Sequence, residues 1–237
     1  AIEPAQKQVE SRNFQPRKNV HQYDDVMNTQ REVIYKERRK VLDGEDLQES
    51  IQNMLHNTVE NAIRGHMGEQ KHMTAEDFRE ATAQFRNMFL KPGELELTDE
   101  ELQQYDEDGL VDLVVGKAKE VYAAREQEFG SPLMRELERV LMLRVVDEYW
   151  MDQIDAMNDL KQGIGLRGYA QTDPVVAYKK EGYEMFEQMI AAIQEETLRR
   201  LFLVRLRRNE EVKRERVATV TSESGASDGS VQKRPQR

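Results

Sequence analysis

The apolar positions of this chain recur with a helical period over most of its length. From Pro4 to Leu42, the residues Val20, Tyr23, Met27, Ile34 and Val41 follow at steps of three, four, seven and seven. That is the narrow stripe of a helix packed along a seam. Charged residues fill its other faces. Pro16 predicts a kink or restart, because proline removes one backbone donor and its ring crowds the preceding turn. Gly44 offers a C-terminal stop.

Residues 45–130 read as shorter helices with marked starts. Asp46 with Glu49, Thr74 with Asp77, and Thr98 with Glu101 each have capping-box spacing, in which a side chain accepts from an orphan N–H and the later acid reaches back. Gly65, Gly68, Pro92 and Gly93 separate them. The Glu94–Leu97 run is a weak candidate for a short extended piece. Beyond this region, Ser131-Pro132 predicts a helix start, a hydroxyl cap followed by a residue preset for the first turn. That helix is expected to reach about Gln162, with Leu133, Leu137, Val140, Leu141, Val145, Trp150, Ile154 and Met157 on one broad face. A glycine-rich loop spans 163–172. Asp173-Pro174 then opens a second helix, expected to run to about Arg216 through Tyr178, Met185, Ile193 and Leu201. Two long helices joined by a short loop imply an antiparallel hairpin. The final stretch, 217–237, is rich in Ser, Gly, Thr and charge, and is expected to be a disordered linker. The predicted class is therefore all-α.

Composition narrows the picture. Of 237 residues, 38% are hydrophobic and 34% charged, which favours long thin seams over one thick core. A net charge of −10 argues against nucleic acid as a partner, since phosphate binding rests on clustered Lys and Arg. Cysteine is absent, which excludes disulfides and thiolate zinc sites and permits a reducing compartment. No run approaches the roughly 18 apolar residues of a membrane span. The opening AIEPAQKQVE lacks an initiating Met and a signal peptide, and reads as part of a longer protein.

Candidate chemistry is sparse. Residues 163–168 spell G-x-G-x-x-G, but a dinucleotide site needs a strand before the motif and a helix directly after it. Here a helix precedes it, and the glycines suit a hairpin loop. Ile164, Leu166 and Tyr169 in that loop either fold back on the hairpin ends or form a contact surface, for which tyrosine is well suited. His21, His56, His66 and His72 form no H-x-x-x-H pair, so no metal site is expected. No catalytic group and no P-loop sequence is present. The basic residues Arg199, Arg200, Arg205, Arg207, Arg208, Lys213, Arg214 and Arg216 either complement a helix C-terminus or face anionic lipid or an acidic partner.

Two long stretches carry a resemblance. AQKQVESRNFQPRKNVHQYDDVMNTQREVIYKERRKVL resembles the long scaffold helix of the SecA family of protein-export ATPases. LRVVDEYWMDQIDAMNDLKQGIGLRGYAQTDPVVAYKKEGYEMFEQMIAAIQEE resembles that family's two-helix finger. The intervening residues fall where the family has its helical wing. The resemblance covers roughly residues 1–216. It implies a scaffold helix over 1–44, a wing over 45–130, a finger and remaining scaffold over 131–216, and a linker over 217–237.

What the resemblance implies for function is mechanical. In that family, separate motor domains bind ATP and Mg and hydrolyse the nucleotide, while the finger restrains that activity. The fingertip inserts toward the SecYEG channel and meets the unfolded preprotein. Tyr169 matches the tip aromatic, flanked by Ile164, Leu166, Arg167, Gly168, Ala170 and Gln171 as contact candidates. Trp150 matches the tryptophan of the regulatory finger helix. The expected setting is cytoplasmic, peripheral to the inner face of the plasma membrane, with motor domains, channel, preprotein and anionic lipid as partners and no nucleic acid. The residues themselves supply no cofactor site, and the zinc-binding tail of many members is absent from this sequence. Pro16 departs from the family pattern. Without the resemblance, a coiled-coil adaptor remains the alternative.

Overall fold

A computed structural model describes residues 2–44, 47–68, 72–167 and 173–205, with side chains outside 2–17 and 165–167. Helix α1 spans Ile2–Asp43, α2 Leu47–Met67 and α3 Ala75–Ala81. A 3-10 turn at Ala83–Phe85 follows, then α4 at Asp99–Leu102, α5 at Glu107–Phe129, α6 at Ser131–Arg167 and α7 at Pro174–Leu203. No strand occurs among the described residues; the only pairing outside helices there is a single bridge between Arg86 and Leu90. The Glu94–Leu97 run forms no strand, and Leu95 takes a positive φ of 54° in a turn.

Helix α1 passes through Pro16 without a break. One donor is lost there, but the bonds of the flanking turns carry the helix on. Its predicted stripe is buried progressively: Val20 is 46% exposed, Tyr23 and Met27 are half-buried, and Ile34 and Val41 are buried. In α2 the buried residues Leu47, Ile51, Leu55, Thr58, Val59, Ala62, Ile63 and Met67 trace one face at helical spacing. In α5 the corresponding face is Leu110, Val111, Val114, Val115, Ala118 and Tyr122.

Local chemistry sets most helix starts. Thr98 and Glu101 form the full reciprocal box: the Thr98 N–H donates to Glu101 Oε2 at 2.9 Å, and the Glu101 N–H donates to Thr98 Oγ1 at 3.4 Å. Thr74 accepts from the Asp77 N–H at 3.2 Å, while Asp77 accepts the Thr74 hydroxyl rather than a backbone N–H. Asp46 lies outside the described residues. Asp173 accepts from the Val175 N–H at 2.9 Å, with Pro174 in the first turn. At the α5–α6 corner the cap shifts by one residue. Ser131 is already helical, and the Gly130 carbonyl accepts from the Met134 N–H at 3.0 Å. Gly130 has φ 82°, a conformation open to glycine at low cost, so one residue ends α5 and caps α6.

The main core runs through elements on either side of the expected boundaries. It joins Val41 of α1, the buried faces of α2, α3 and α5, Met134 and Met142 of α6, and Leu198, Leu201 and Phe202 of α7. From this core α6 and α7 continue as an antiparallel hairpin with α1 alongside. Successive layers are Val145, Trp150, Met189 and Ile193 with Ile34, then Met157, Ile164 and Tyr178 against Tyr23 and Met27.

Candidate functional site

The candidate site is this hairpin, and both of its ends differ from the sequence expectation. Helix α6 does not stop at Gln162 but runs to Arg167. Gly163 and Gly165 are absorbed into the helix, at about 1 kcal/mol each relative to alanine. Between them Ile164, 1% exposed, anchors the turn in the layer with Met157 and Tyr178. Helix α7 ends at Leu203 rather than near Arg216, and Val204 is extended at φ −60°, ψ 138°. The stop comes from outside the helix. Arg125 of α5 donates to the carbonyl of Leu201 at 2.5 Å and of Val204 at 2.8 Å. Its guanidinium also lies 5.5 Å from the Phe129 ring centroid. Burial lowers the Arg125 pKa.

These ends relocate the predicted site residues. Ile164 faces inward and is an anchor of the hairpin, not part of a solvent-facing contact surface. Leu166 and Arg167 belong to the last turn of α6. Gly168, Tyr169, Ala170 and Gln171 lie outside the described residues. Trp150 is 6% exposed and packs with Ile34 of α1 and with Met189 and Ile193 of α7. Its neighbours Tyr35, Leu42 and Met151 are exposed, and with Arg38, Arg39 and Ile154 they border a groove of about 680 Å³ on the α1–α6 face. The Arg38 Nε–H donates to Asp147 Oδ1 across it at 3.0 Å.

Toward its far end the hairpin is held by aromatic and charged contacts. Tyr23 of α1 meets Tyr178 of α7 edge-on, with ring centroids 4.7 Å apart. Lys161 pairs with Asp24 at 3.2 Å and sits 5.8 Å from the Tyr23 ring centroid. Burial pushes the Tyr178 hydroxyl up to about 12, with Asp24 and Tyr23 adding to it. Burial and then Asp173 raise Tyr23.

At the base, Arg200 ties the two helices. It donates to Glu148 Oε2 and Glu196 Oε1, each at 2.6 Å. The Arg200 hydrogen bond, with Arg144, holds Glu148 below the usual carboxylate range, and Arg199 with Arg200 does the same for Glu196. Thus Arg199 and Arg200 are engaged within the hairpin. Arg205 is exposed, and the rest of the basic cluster lies outside the described residues.

Three features escaped the sequence reading. Gln30 falls between Met27 and Ile34 at a seam position where an apolar residue is the rule. It is buried, donates to the Gly182 carbonyl at 2.9 Å, and accepts from Gln153 Nε2 at 3.2 Å. The missing apolar residue in the stripe was the available signal. Gly182 allows close approach: a Cβ there would lie 2.8 Å from Met157 Cε. Glu138 is fully buried at the α5–α6 corner, accepting the Tyr122 hydroxyl at 2.5 Å and pairing with Arg135 at 3.2 Å. Nothing in the local sequence distinguishes that glutamate from its exposed neighbours.

The chemical character is that of a packing and contact surface. Gly163 and Gly165 lie inside α6, with helix rather than strand before them, so the geometry a dinucleotide needs is missing. Among the described residues no group of His, Asp or Glu is placed to hold a metal ion, and no helix is long and apolar enough to cross a membrane.

Known proteins match this sequence closely. The description of the SecA Wing and Scaffold domain matches residues 1–205. The protein translocase subunit SecA of Finegoldia magna is 50% identical over 228 residues, covering 96% of this chain and 24% of that protein. The namesake from Heliobacterium modesticaldum is 48% identical over 204 residues, covering 86% of this chain and 24% of that protein. The one from Clostridium acetobutylicum is 45% identical over the whole chain and 28% of its own length. The chain thus spans about a quarter of the length of the curated relatives it matches. With a match over nearly all the described residues, the chain belongs to the SecA wing and scaffold family.

Proposed function

We propose that this chain is the scaffold-and-finger part of an ATP-driven protein translocase, supplying no hydrolysis itself. In this reading α1 is a beam on which motor domains rest, and the α6–α7 hairpin carries motion to residues 166–171. Those residues meet the channel mouth and the moving polypeptide, with Tyr169 as the principal contact. Trp150 lies where the beam and the finger join and restrains the motor's ATPase. ATP and Mg belong to the motor domains. SecYEG, an unfolded preprotein and anionic lipid are the outer partners, at the cytoplasmic face of the plasma membrane.

The observation that carries the reading is a hairpin clamped along its length to one long helix. The layers at Trp150 with Ile34 and at Tyr178 with Tyr23 join α1, α6 and α7 at two levels. A rod so braced transmits displacement instead of absorbing it. The exposed Tyr35, Leu42 and Met151 around the α1–α6 groove supply an apolar face on which another domain of the same protein can rest.

The test is a photo-crosslinking residue at position 169 in the complete translocase, with position 152 on the exposed side of α6 as control. Stalled exported polypeptide is expected to form adducts at 169 and not at 152. Undiminished transport without adducts at 169 would overturn the tip assignment and favour a plain adaptor.

A further inference from the structure

We infer that Gln30, Gln153 and the backbone of Gly182 form a clasp that fixes the register of α1 on the hairpin. The clasp makes the outer half of the finger move with α1 as one body. Its geometry stands alone; only its consequence for the tip rests on the function proposed above.

Gln30 is 5% exposed and Gln153 6%. One side chain of α1 therefore engages both hairpin helices, donating to the α7 backbone at Gly182 and accepting from Gln153 of α6. The layer sits at a boundary. On its core side lie the buried Ile34, Val145 and Trp150; on its outer side Met157, Ile164 and Tyr178 of the hairpin are buried, while Tyr23, Val26 and Met27 of α1 are only half-buried. Apolar layers alone fix register weakly, because in an all-apolar stripe each residue offers similar surface to a helix shifted by one turn. A buried amide is selective. In a shifted or rotated arrangement it loses both partners and leaves polar groups unpaired away from water.

Gly182 completes the device. A Cβ there would lie 2.8 Å from Met157 Cε of α6 and in ordinary contact, 3.7 Å, with Val26 Cγ1 of α1. Its carbonyl, which has two lone pairs, accepts from Gln30 of α1. The Lys161–Asp24 pair at the outer end is solvent-exposed, and exposed pairs contribute little. The apolar Met157, Ile164 and Tyr178 layer holds the outer finger against α1, and the buried amides select the register in which it does so.

The chain has no cysteine, so spin labels can be placed cleanly through Glu32→Cys on α1 and Lys179→Cys on α7, both exposed positions. Pulsed distance measurement on the 237-residue chain should give one narrow distribution. With Gln30→Leu and Gln153→Leu together, the distribution should broaden or gain a population displaced by about one helical turn, roughly 5 Å. The thermal midpoint should stay level or rise, because the layer becomes apolar. Gln30→Glu keeps the acceptor and loses the donor, so it should give an intermediate width. Should the double variant fail to fold, Gln30→Asn, too short for both partners, should broaden the distribution instead. Distributions that superimpose on the parent's in the folded variants overturn the clasp. In the complete translocase the double variant should transport several-fold more slowly. Broadening with unchanged transport upholds the clasp and removes its link to the tip.

Discussion

Ile34→Ala is the perturbation whose size can be worked most directly. Ile34 is 2% exposed and shares a cluster with Val145, Trp150, Met189 and Ile193. The substitution deletes carbons worth about 2.4 kcal/mol, at ~0.8 per buried methylene. A cavity adds to this, placing such changes in a range of about 2–5 kcal/mol. The lining decides where in that range it falls. Met189 and the half-buried Met27 adjoin the site, and unbranched methionines close gaps readily. We therefore expect about 2–3 kcal/mol, and about 1 kcal/mol for Ile34→Val. Trp150 is the only tryptophan and lies in this cluster, so its fluorescence reports the junction itself. In urea, a slope near ~2.5 kcal/mol per molar converts the loss into a midpoint shift of roughly 1 M. A shift under ~0.2 M, with the slope unchanged, would refute the docking of α1 on the hairpin at this level.

The other predictions address separate parts of the fold. Tyr178 has its hydroxyl raised from 10.0 to about 12, so the folded state holds its proton more tightly than the unfolded chain. Its contribution is complete below pH 10 and disappears as pH climbs through about 12, a loss of order 2–3 kcal/mol; Tyr178→Phe should flatten that part of the stability–pH curve. Glu138→Ala takes the acceptor from the buried Tyr122 hydroxyl and leaves Arg135 paired with Glu126, and should cost about 2–3 kcal/mol in chemical denaturation. Arg125→Ala removes the donors that close α7 at Leu201 and Val204. It should cost about 2 kcal/mol and speed amide exchange through 198–204 well above the rest of α7.

The sequence carried the helical class and the pairing of the two long helices, because apolar period and cap chemistry are local signals. Thr98 with Glu101 and Asp173 with Pro174 did what their spacing predicts. Errors arose where a distant residue decides a local question. Arg125 lies far from Leu203 in the chain, so the end of α7 could not be read from α7 alone. Gly163 and Gly165 resemble a loop until the burial of Ile164 between them is known. For the candidate site, the position of Trp150 on a broad apolar face was legible, whereas the polar layer at Gln30 was not. A glutamine in a stripe reads as a defect until Gln153 and Gly182 are found opposite it. Pro16 shows the reverse case, a breaker overruled by the helix on both sides.

In the function proposed above, this chain is a scaffold that rests against a motor and governs it without hydrolysing ATP. The most direct measurement is a titration of the purified chain into a translocase motor fragment that lacks this region, following binding and ATPase rate together. The account predicts saturable binding with a falling ATPase rate, and no hydrolysis by the chain alone. A folded chain that neither binds the motor nor changes its rate would contradict it.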